Sequence, residues 1–322
     1  MRDKLDLRRM TQSVEVARLF YIEDMDQKQI AERLDMSRPT VSRLLQYAKD
    51  NSIVQVNIHN PFGQATVLSE QLSEKYDQYI QVVPDNYDNQ KDALQAVAAY
   101  TANYLLDNVK AGMTIGVGWG RTLHAVADQL MVSASRDEYI APENISTVQL
   151  KGSVSLSYSE TFAYQIINTF ASVFHTQPEY LPLPTIFDEV STKEIVEADR
   201  HMSRILELGS TADVTVFSVG TVRKKALLFE LEYLNDTEKT NLRKHAVGDI
   251  VSRFIDKDGM IVDPELNERT VGIQLDALKE VEHSILVAAG SNKAKAVNAT
   301  LKGGYAKQVF IDTLLAQSLL NL

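Results

Sequence analysis

Short apolar runs separated by stretches of helical spacing set the architecture open to most of this chain. The runs are YIQVVP (79–84), MTIGVGWG (113–120), ISTVQLKG (145–152), VTVFSVG (214–220), SILVAAG (284–290) and QVFIDT (308–313). A strand covered on both faces reads as a continuous apolar stretch, whereas a half-wet strand alternates. Residues 65–76, 91–109, 121–131, 160–174, 196–209, 293–301 and those after 313 carry helical periodicity instead. Strands alternating with helices predict a mostly parallel α/β sheet with helices on both faces. Such sheets bind ligands beyond the carboxyl ends of their strands.

Residues 26–46, DQKQIAERLDMSRPTVSRLLQ, carry a different pattern, that of a helix-turn-helix. Ile30, Ala31 and Leu34 fall on the inner side of a first helix, and Val41, Leu44 and Leu45 on that of a second. Ala31 is the small contact residue and Met36 closes the turn. Asp35 stands where Gly is common, so it must accept a left-handed backbone, which Asp tolerates better than most residues. Ser37 is a good N-cap, and Pro39 fits a first helical turn. Ser37, Arg38, Pro39, Thr40, Ser42 and Arg43 are then left to meet DNA base edges and phosphates. An ordinary antiparallel helix pair would share the apolar spacing, but cap, proline, turn and outward polar groups agree on a DNA reader. Ile53, Val54, Val56 and Ile58 suggest a strand or hairpin forming a wing, and Asn60–Gly63 a linker. The expected domains are 1–58 and 59–322.

The 322 residues include no Cys, which excludes disulfides, thiolate catalysis and Cys-ligated zinc. The six His show no metal-ligand spacing, and no cofactor is expected. No apolar run approaches the ~20 residues that span a bilayer, and MRDKLDLRRMTQ lacks the apolar core of a signal peptide. A cytoplasmic protein with no membrane partner is expected. Net charge is −10, yet the first sixty residues hold ten Lys/Arg against nine Asp/Glu. Such a head on an acidic body should bind non-specific DNA weakly, and lean on base contacts and on pairing several heads in an oligomer.

Several strand ends carry chemistry. Gly116-Val-Gly118-Trp119-Gly120-Arg121-Thr122 could bring backbone N–H groups to an anion. It is neither a dinucleotide fingerprint nor a P-loop, and a tight turn with no ligand reads equally well. Lys151 follows an apolar run; on a pocket floor, desolvation would make its amine nucleophilic, while at an open strand end it would be an ordinary solvated charge. Gly220 and Thr221 form a strand-to-loop turn. Ser291, Asn292 and Lys293 open a helix, where a Lys is unfavourable unless an anion sits there. Asp249 could accept sugar hydroxyls or cap a helix.

Together these residues resemble the SorC family of bacterial sugar-responsive transcription regulators. The resemblance runs through residues 25–49, VGWGRT (117–122), HAVGDIVSRFIDKDG (245–259), NERTVGIQLDAL (267–278), ILVAAGSNKAKAV (285–297) and FIDTLLAQSLL (310–320). It implies a DNA-binding head joined to a sugar-phosphate domain similar to glucosamine-phosphate deaminases and ribose-phosphate isomerases, in a tetramer. Val148–Gly152, and Tyr180–Pro184 with Phe187–Asp188, look closest to the branch that governs deoxyribonucleoside use, in which the matching Lys forms a Schiff base with deoxyribose 5-phosphate. The resemblance thus makes Lys151 the covalent anchor. Gly118, Gly120, Arg121 and Thr122 would flank the ligand, with Gly220, Thr221 and Asp249 near it and Ser291, Asn292 and Lys293 at its phosphate. The expectation is a repressor of deoxyribonucleoside catabolism genes, not an enzyme. Two alternatives stay open: a SorC-type regulator holding another sugar phosphate non-covalently, and an isomerase- or deaminase-like enzyme with an accessory head, for which Asp249 and His124 are available.

Overall fold

The computed structural model of the protein describes residues 2–51, 53–54, 63–84, 90–135, 139–153 and 161–322. It divides into two compact units, Met1–Pro61 and Phe62–Leu322. Residues 55–62, which hold Val56 and Ile58 of the expected wing, the expected linker except Gly63, and the 58/59 boundary, lie outside the described residues.

The first unit contains α1 (Arg2–Tyr21), α2 (Gln27–Arg33) and α3 (Arg38–Asp50). Asp26 caps α2 by accepting from the N–H groups of Lys28 and Gln29, and the Gln29 side chain accepts from the Asp26 N–H in return, a capping box. The chain then reverses through Asp35, whose φ is +50°. Ser37 accepts the Thr40 N–H and starts α3, with Pro39 in its first turn. Ile30, Ala31, Val41, Leu44, Leu45 and Ala48 form one buried cluster with Val16, Ala17 and Leu19 of α1. The sequence reading did not anticipate α1, because its first half is a run of charges. Ile53 and Val54 form no strand; both N–H groups donate to the carbonyl of Ala48 at the end of α3.

In the second unit α4 (Gln64–Tyr76) leads to β1 (Tyr79–Val83), and α5 (Gln90–Asn108) to β2 (Thr114–Val117). Next come α6 (Arg121–Ala134), β3 (Ser146–Gln149), α7 (Ala163–Val173) and β4 (Pro178–Glu179). Two helices, α8 (Val190–Glu197) and α9 (Arg200–Ser210), precede β5 (Val214–Phe217) and β6 (Val219–Gly220). Then follow α10 (Leu227–Glu230), α11 (Asp236–His245), β7 (Gly248–Ile250), β8 (Arg253–Ile255), α12 (Pro264–Arg269) and α13 (Leu275–Glu280). The chain closes with β9 (His283–Ala288), α14 (Ala294–Lys302), β10 (Gln308–Asp312) and α15 (Thr313–Leu320).

Seven strands form one sheet in the order β1-β10-β9-β5-β2-β3-β4, and every pairing in it is parallel. Its inner strands are buried on both faces, which explains their continuous apolar runs. Ile115, Val117, Val214, Val216, Ile285 and Val287 face a core with α5, α6 and α7, while Phe217, Leu286, Ala288, Val309 and Ile311 face α4, α14 and α15. The chain builds outward from β2 to β4, then returns to place β5 on the other side of β2. That reversal opens a crevice at the carboxyl ends of β2 and β5. A second sheet, β6-β7-β8, is antiparallel. The expected strand 214–220 therefore splits: Ser218 breaks it, and Val219–Gly220 join the small sheet. The expected 196–209 helix also splits, because Asp199 caps a new helix by accepting the His201 N–H.

Candidate functional site

Beyond the carboxyl ends of β2, β3, β5 and β9 lies a cleft of about 760 Å3, walled on one side by the small antiparallel sheet. Its floor is Lys151. The residue is 6% exposed. Its Nζ donates to Ser252 Oγ at 3.1 Å and lies 3.7 Å from the centroid of the Trp119 ring. The indole is itself fixed, because Trp119 Nε1 donates to the Gly152 carbonyl at 2.9 Å. Backbone bonds hold the lysine as well: it bridges to Gly272, while Ile273 N–H donates to Leu150 O at 3.0 Å. Gly272 has φ of +126°, and a Cβ there would lie 2.7 Å from Lys151 Cα, so only glycine permits this approach.

Burial lowers the Lys151 ammonium to about 8, with Asp249 opposing that shift. A lysine near 8 is roughly one-tenth neutral at pH 7, against under about a thousandth for an ordinary one. Asp249 sits on β7, 6% exposed, and caps no helix; its Oδ2 accepts the Ser252 N–H at 3.2 Å. Burial pushes its carboxyl up, opposed by Lys151, the Ser252 N–H and Lys293. The carboxylate packs over Gly220, where a Cβ would lie 1.8 Å from Oδ1. Lys293 reaches across from the turn after β9 and donates to Thr122 Oγ1 at 2.9 Å and Ser218 Oγ at 3.0 Å. Burial brings its ammonium to about 8, with Asp249 opposing and Arg121 reinforcing the shift.

Gly120, Arg121, Thr122, Lys151, Gly220, Thr221, Asp249, Asn292 and Lys293 thus line one cleft, although they come from five separate stretches of sequence. Two expected residues do not line it. Gly118 lies just past β2 and is held against β5, its N–H donating to Val216 O at 2.9 Å. Ser291 is exposed, because the single 3-10 turn 291–293 directs Asn292 and Lys293 inward and leaves it outside.

The sequence reading missed others. Trp119, the one Trp of the chain, stands inside the Gly-rich turn and was legible there. Ser218 and Ser252 gave no signal. Lys91, Arg223 and Lys225 form an exposed cationic collar with Arg121 at the mouth. Among the described lining residues Asp249 is the single carboxylate against six Lys and Arg, so the cleft suits an anion. His124 does not line it; its ring stacks on Phe162 and pairs with Asp128 at 3.4 Å. No group of carboxylates and histidines that could hold a metal occurs among the described residues.

In the first unit Ser37, Arg38, Pro39, Ser42 and Arg43 are exposed and Thr40 is half-buried. Arg43 Nε donates to the Pro39 carbonyl at 3.2 Å, which holds the guanidinium along the outer side of α3. No described helix is long and apolar enough to cross a membrane.

A parallel sheet whose switch-point crevice is lined by lysines and hydroxyls defines an α/β domain with a cleft suited to an anionic ligand. The sequence agrees: the profile of the family described as "Putative sugar-binding domain" (Sugar-bind) matches residues 60–321. The chain is 42% identical to the deoxyribonucleoside regulator of Bacillus subtilis (strain 168), over 98% of this chain and 99% of that protein. It is 25% identical to the sorbitol operon regulator of Klebsiella pneumoniae over 96% and 97% of the two chains. Among solved structures, a domain of a possible sugar-binding transcriptional regulator from Arthrobacter aurescens TC1 is 29% identical, with a TM-score of 0.72, covering 81% of this chain and 99% of that one. Full-length SorC of Klebsiella pneumoniae shares the fold, with a TM-score of 0.71 over 97% and 99% at 24% identity. The chain belongs to the SorC family of transcription regulators with a sugar-binding domain.

Proposed function

We propose that this regulator is a repressor of deoxyribonucleoside catabolism genes, released from its operator by deoxyribose 5-phosphate held as a Schiff base on Lys151. The observation that carries this reading is the buried Lys151 amine, lowered to about 8 and aimed into a cationic cleft. The 42% identity to a deoxyribonucleoside regulator supports the choice of sugar. Deoxyribose offers no 2-hydroxyl to recognise, and its phosphate is common to many metabolites. A reversible imine with the open-chain aldehyde supplies the missing selectivity. The neutral Lys151 amine attacks C1 and one of its protons passes to the carbonyl oxygen, giving a carbinolamine; a proton from solvent lets that hydroxyl leave as water, and the nitrogen keeps its remaining hydrogen as the protonated imine. Asp249 faces the charge that develops and stabilises it. Lys293, Thr122, Arg121 and Asn292 hold the phosphate in this reading.

At the head, Ser37, Arg38, Pro39, Thr40, Ser42 and Arg43 meet operator DNA, and α2 and α3 act as a helix-turn-helix. The protein works as a homo-oligomer, a tetramer in this account, in the cytoplasm. The effector shifts the sugar-binding units toward an arrangement that misaligns the heads. No turnover is proposed: the relatives are named as regulators, and of the two groups an isomerase or deaminase could use for proton transfer, Asp249 alone lines the cleft while His124 is turned to Phe162 and Asp128.

Reduction with borohydride in the presence of deoxyribose 5-phosphate should leave one adduct per chain, on the peptide that contains Lys151. An unmodified chain, or an adduct on another lysine, would refute the imine. A second reading keeps the regulator and changes the ligand. The exposed collar of Lys91, Arg121, Arg223 and Lys225 favours it, because it offers charge well beyond one phosphate. In that case Lys151→Arg, which cannot form a productive imine, would still respond to its sugar phosphate.

A further inference from the structure

Arg253 is among the largest fully buried side chains, 1% exposed, yet it forms no ion pair among the described residues and does not line the cleft. Its five N–H donors are all used. Nε donates to Ile273 O at 2.8 Å. Nη1 donates to Asn267 O at 2.9 Å and Asn267 Oδ1 at 2.6 Å. Nη2 donates to Thr270 O at 3.2 Å and Gly272 O at 2.9 Å. All the acceptors belong to residues 267–273, the end of α12 and the strip after it, of which 271–273 run antiparallel to Leu150–Gly152. Gly152 N–H donates to Val271 O at 3.3 Å, and Gly272 bridges to Lys151.

The same arginine follows the turn that carries the hydroxyl partner of Lys151. Val251 and Ser252 join β7 to β8 with φ of +43° and +71°. Two-residue hairpin turns with both φ positive normally use Asn and Gly, and a β-branched residue there is strained. Such a turn persists only where its surroundings hold it. Arg253, paired with Ile250 across the turn and locked at its far end, provides that hold. One buried cation therefore ties together both supports of Lys151, the backbone strip and the Ser252 hydroxyl.

We propose that Arg253 is a positioning residue of the effector site: it fixes the 270–273 strip and the Ser252 turn around Lys151 and so sets the reactivity of that amine without touching the ligand. The charged group facing Lys151 is Asp249 on β7, with Lys293 and Arg121 lining the same cleft. The acid that acts on Arg253 is Glu197 at the end of α8, itself paired with Lys193 at 2.8 Å. Loosening the clamp admits water to Lys151 and returns its amine toward ordinary lysine behaviour.

The inference rests on the effector reading for the meaning of the site, but its test needs no sugar. Pulses of acetic anhydride on the full chain across a pH series, read by peptide mass spectrometry, give the midpoint for acetylation of Lys151. Arg253→Lys keeps the charge and loses the fork. Its midpoint should rise by about one pH unit, so that the deprotonated fraction at pH 8 falls about fivefold. Asn267→Ala removes one acceptor side chain and should shift the midpoint less, in the same direction. Leu72→Ala, on the buried face of α4, controls for lost stability and should leave the midpoint in place. A wild-type midpoint in folded Arg253→Lys overturns the proposal, as does an equal shift in Leu72→Ala. Should Arg253→Lys not fold, an unshifted Asn267→Ala overturns it. Borohydride trapping with deoxyribose 5-phosphate runs alongside. Wild type without an adduct would refute the effector reading, and the acetylation midpoints would still decide the role of Arg253.

Discussion

Lys151 is a residue whose sequence context fixes its importance poorly. Val148-Gln-Leu-Lys-Gly152 reads equally well as a strand ending in a solvated charge, and only the walls around it decide the matter. Those walls come from Trp119, Asp249, Ser252 and Gly272, all at least thirty residues away in the chain. Of these, Trp119 and Asp249 carry a recognisable local signal, while Ser252 looks like any hydroxyl. The lysine also leaves a thermodynamic signature. It titrates near 8 when folded and near 10.5 when unfolded, so the unfolded chain binds more protons between those values. Stability should therefore rise with pH across that window. Lys293 adds to the rise with the same sign. Urea melts from about pH 7 to pH 10 should show a gain on the order of 1–3 kcal/mol per lysine, and Lys151→Met should lose about half of the total. An unchanged slope in that variant would mean that Lys151 is an ordinary solvated lysine.

At the scale of elements, legibility followed local chemistry. Strands β1, β2, β3, β9 and β10 and helices α2 and α3 were visible because apolar runs, caps and Pro39 mark them within a few residues. The β7–β8 hairpin was not, because its turn is Val251-Ser252 rather than a sequence that favours positive φ. Arg253 was hidden as well, because its partners are backbone carbonyls of residues 267–273, which no local pattern announces. The head offers the converse case: Asp35 takes the left-handed backbone that its position demanded. Asp35→Gly should stabilise the head by ~0.5–1 kcal/mol, since the Cβ penalty outweighs the entropy of Gly. Ser37→Ala should cost it ~1 kcal/mol by removing the cap. Hydrogen exchange of α2 and α3 amides in the full chain resolves both, and slower exchange in Ser37→Ala than in wild type would contradict the capping account. On the outer side of α3, Arg38→Ala or Arg43→Ala should weaken operator binding by ~1–3 kcal/mol if that side chain reads a guanine. Wild-type affinity in both would remove α3 as the reading helix.

Across the whole molecule, charge separates the two tasks. The sugar-binding unit carries −11 and the head +1, which together make the net charge of −10. DNA binding that drew on many phosphate contacts would lose affinity steeply with salt, by a slope of about −0.9 per contact. With so few cations on α3, the slope for this protein should be shallow, and tight binding should need several heads engaged together. Anisotropy titrations at several salt concentrations measure that slope. The fold itself followed from sequence because a parallel sheet advertises its strands. The central claim is that a sugar phosphate joined to Lys151 governs the grip on DNA. Its most direct test uses DNA selected by the wild-type protein from a random pool, bound to wild type and to Lys151→Arg, and titrated with deoxyribose 5-phosphate. The account predicts release of the wild-type complex and retention of the Lys151→Arg complex at the same sugar concentration. Equal release of both would contradict it.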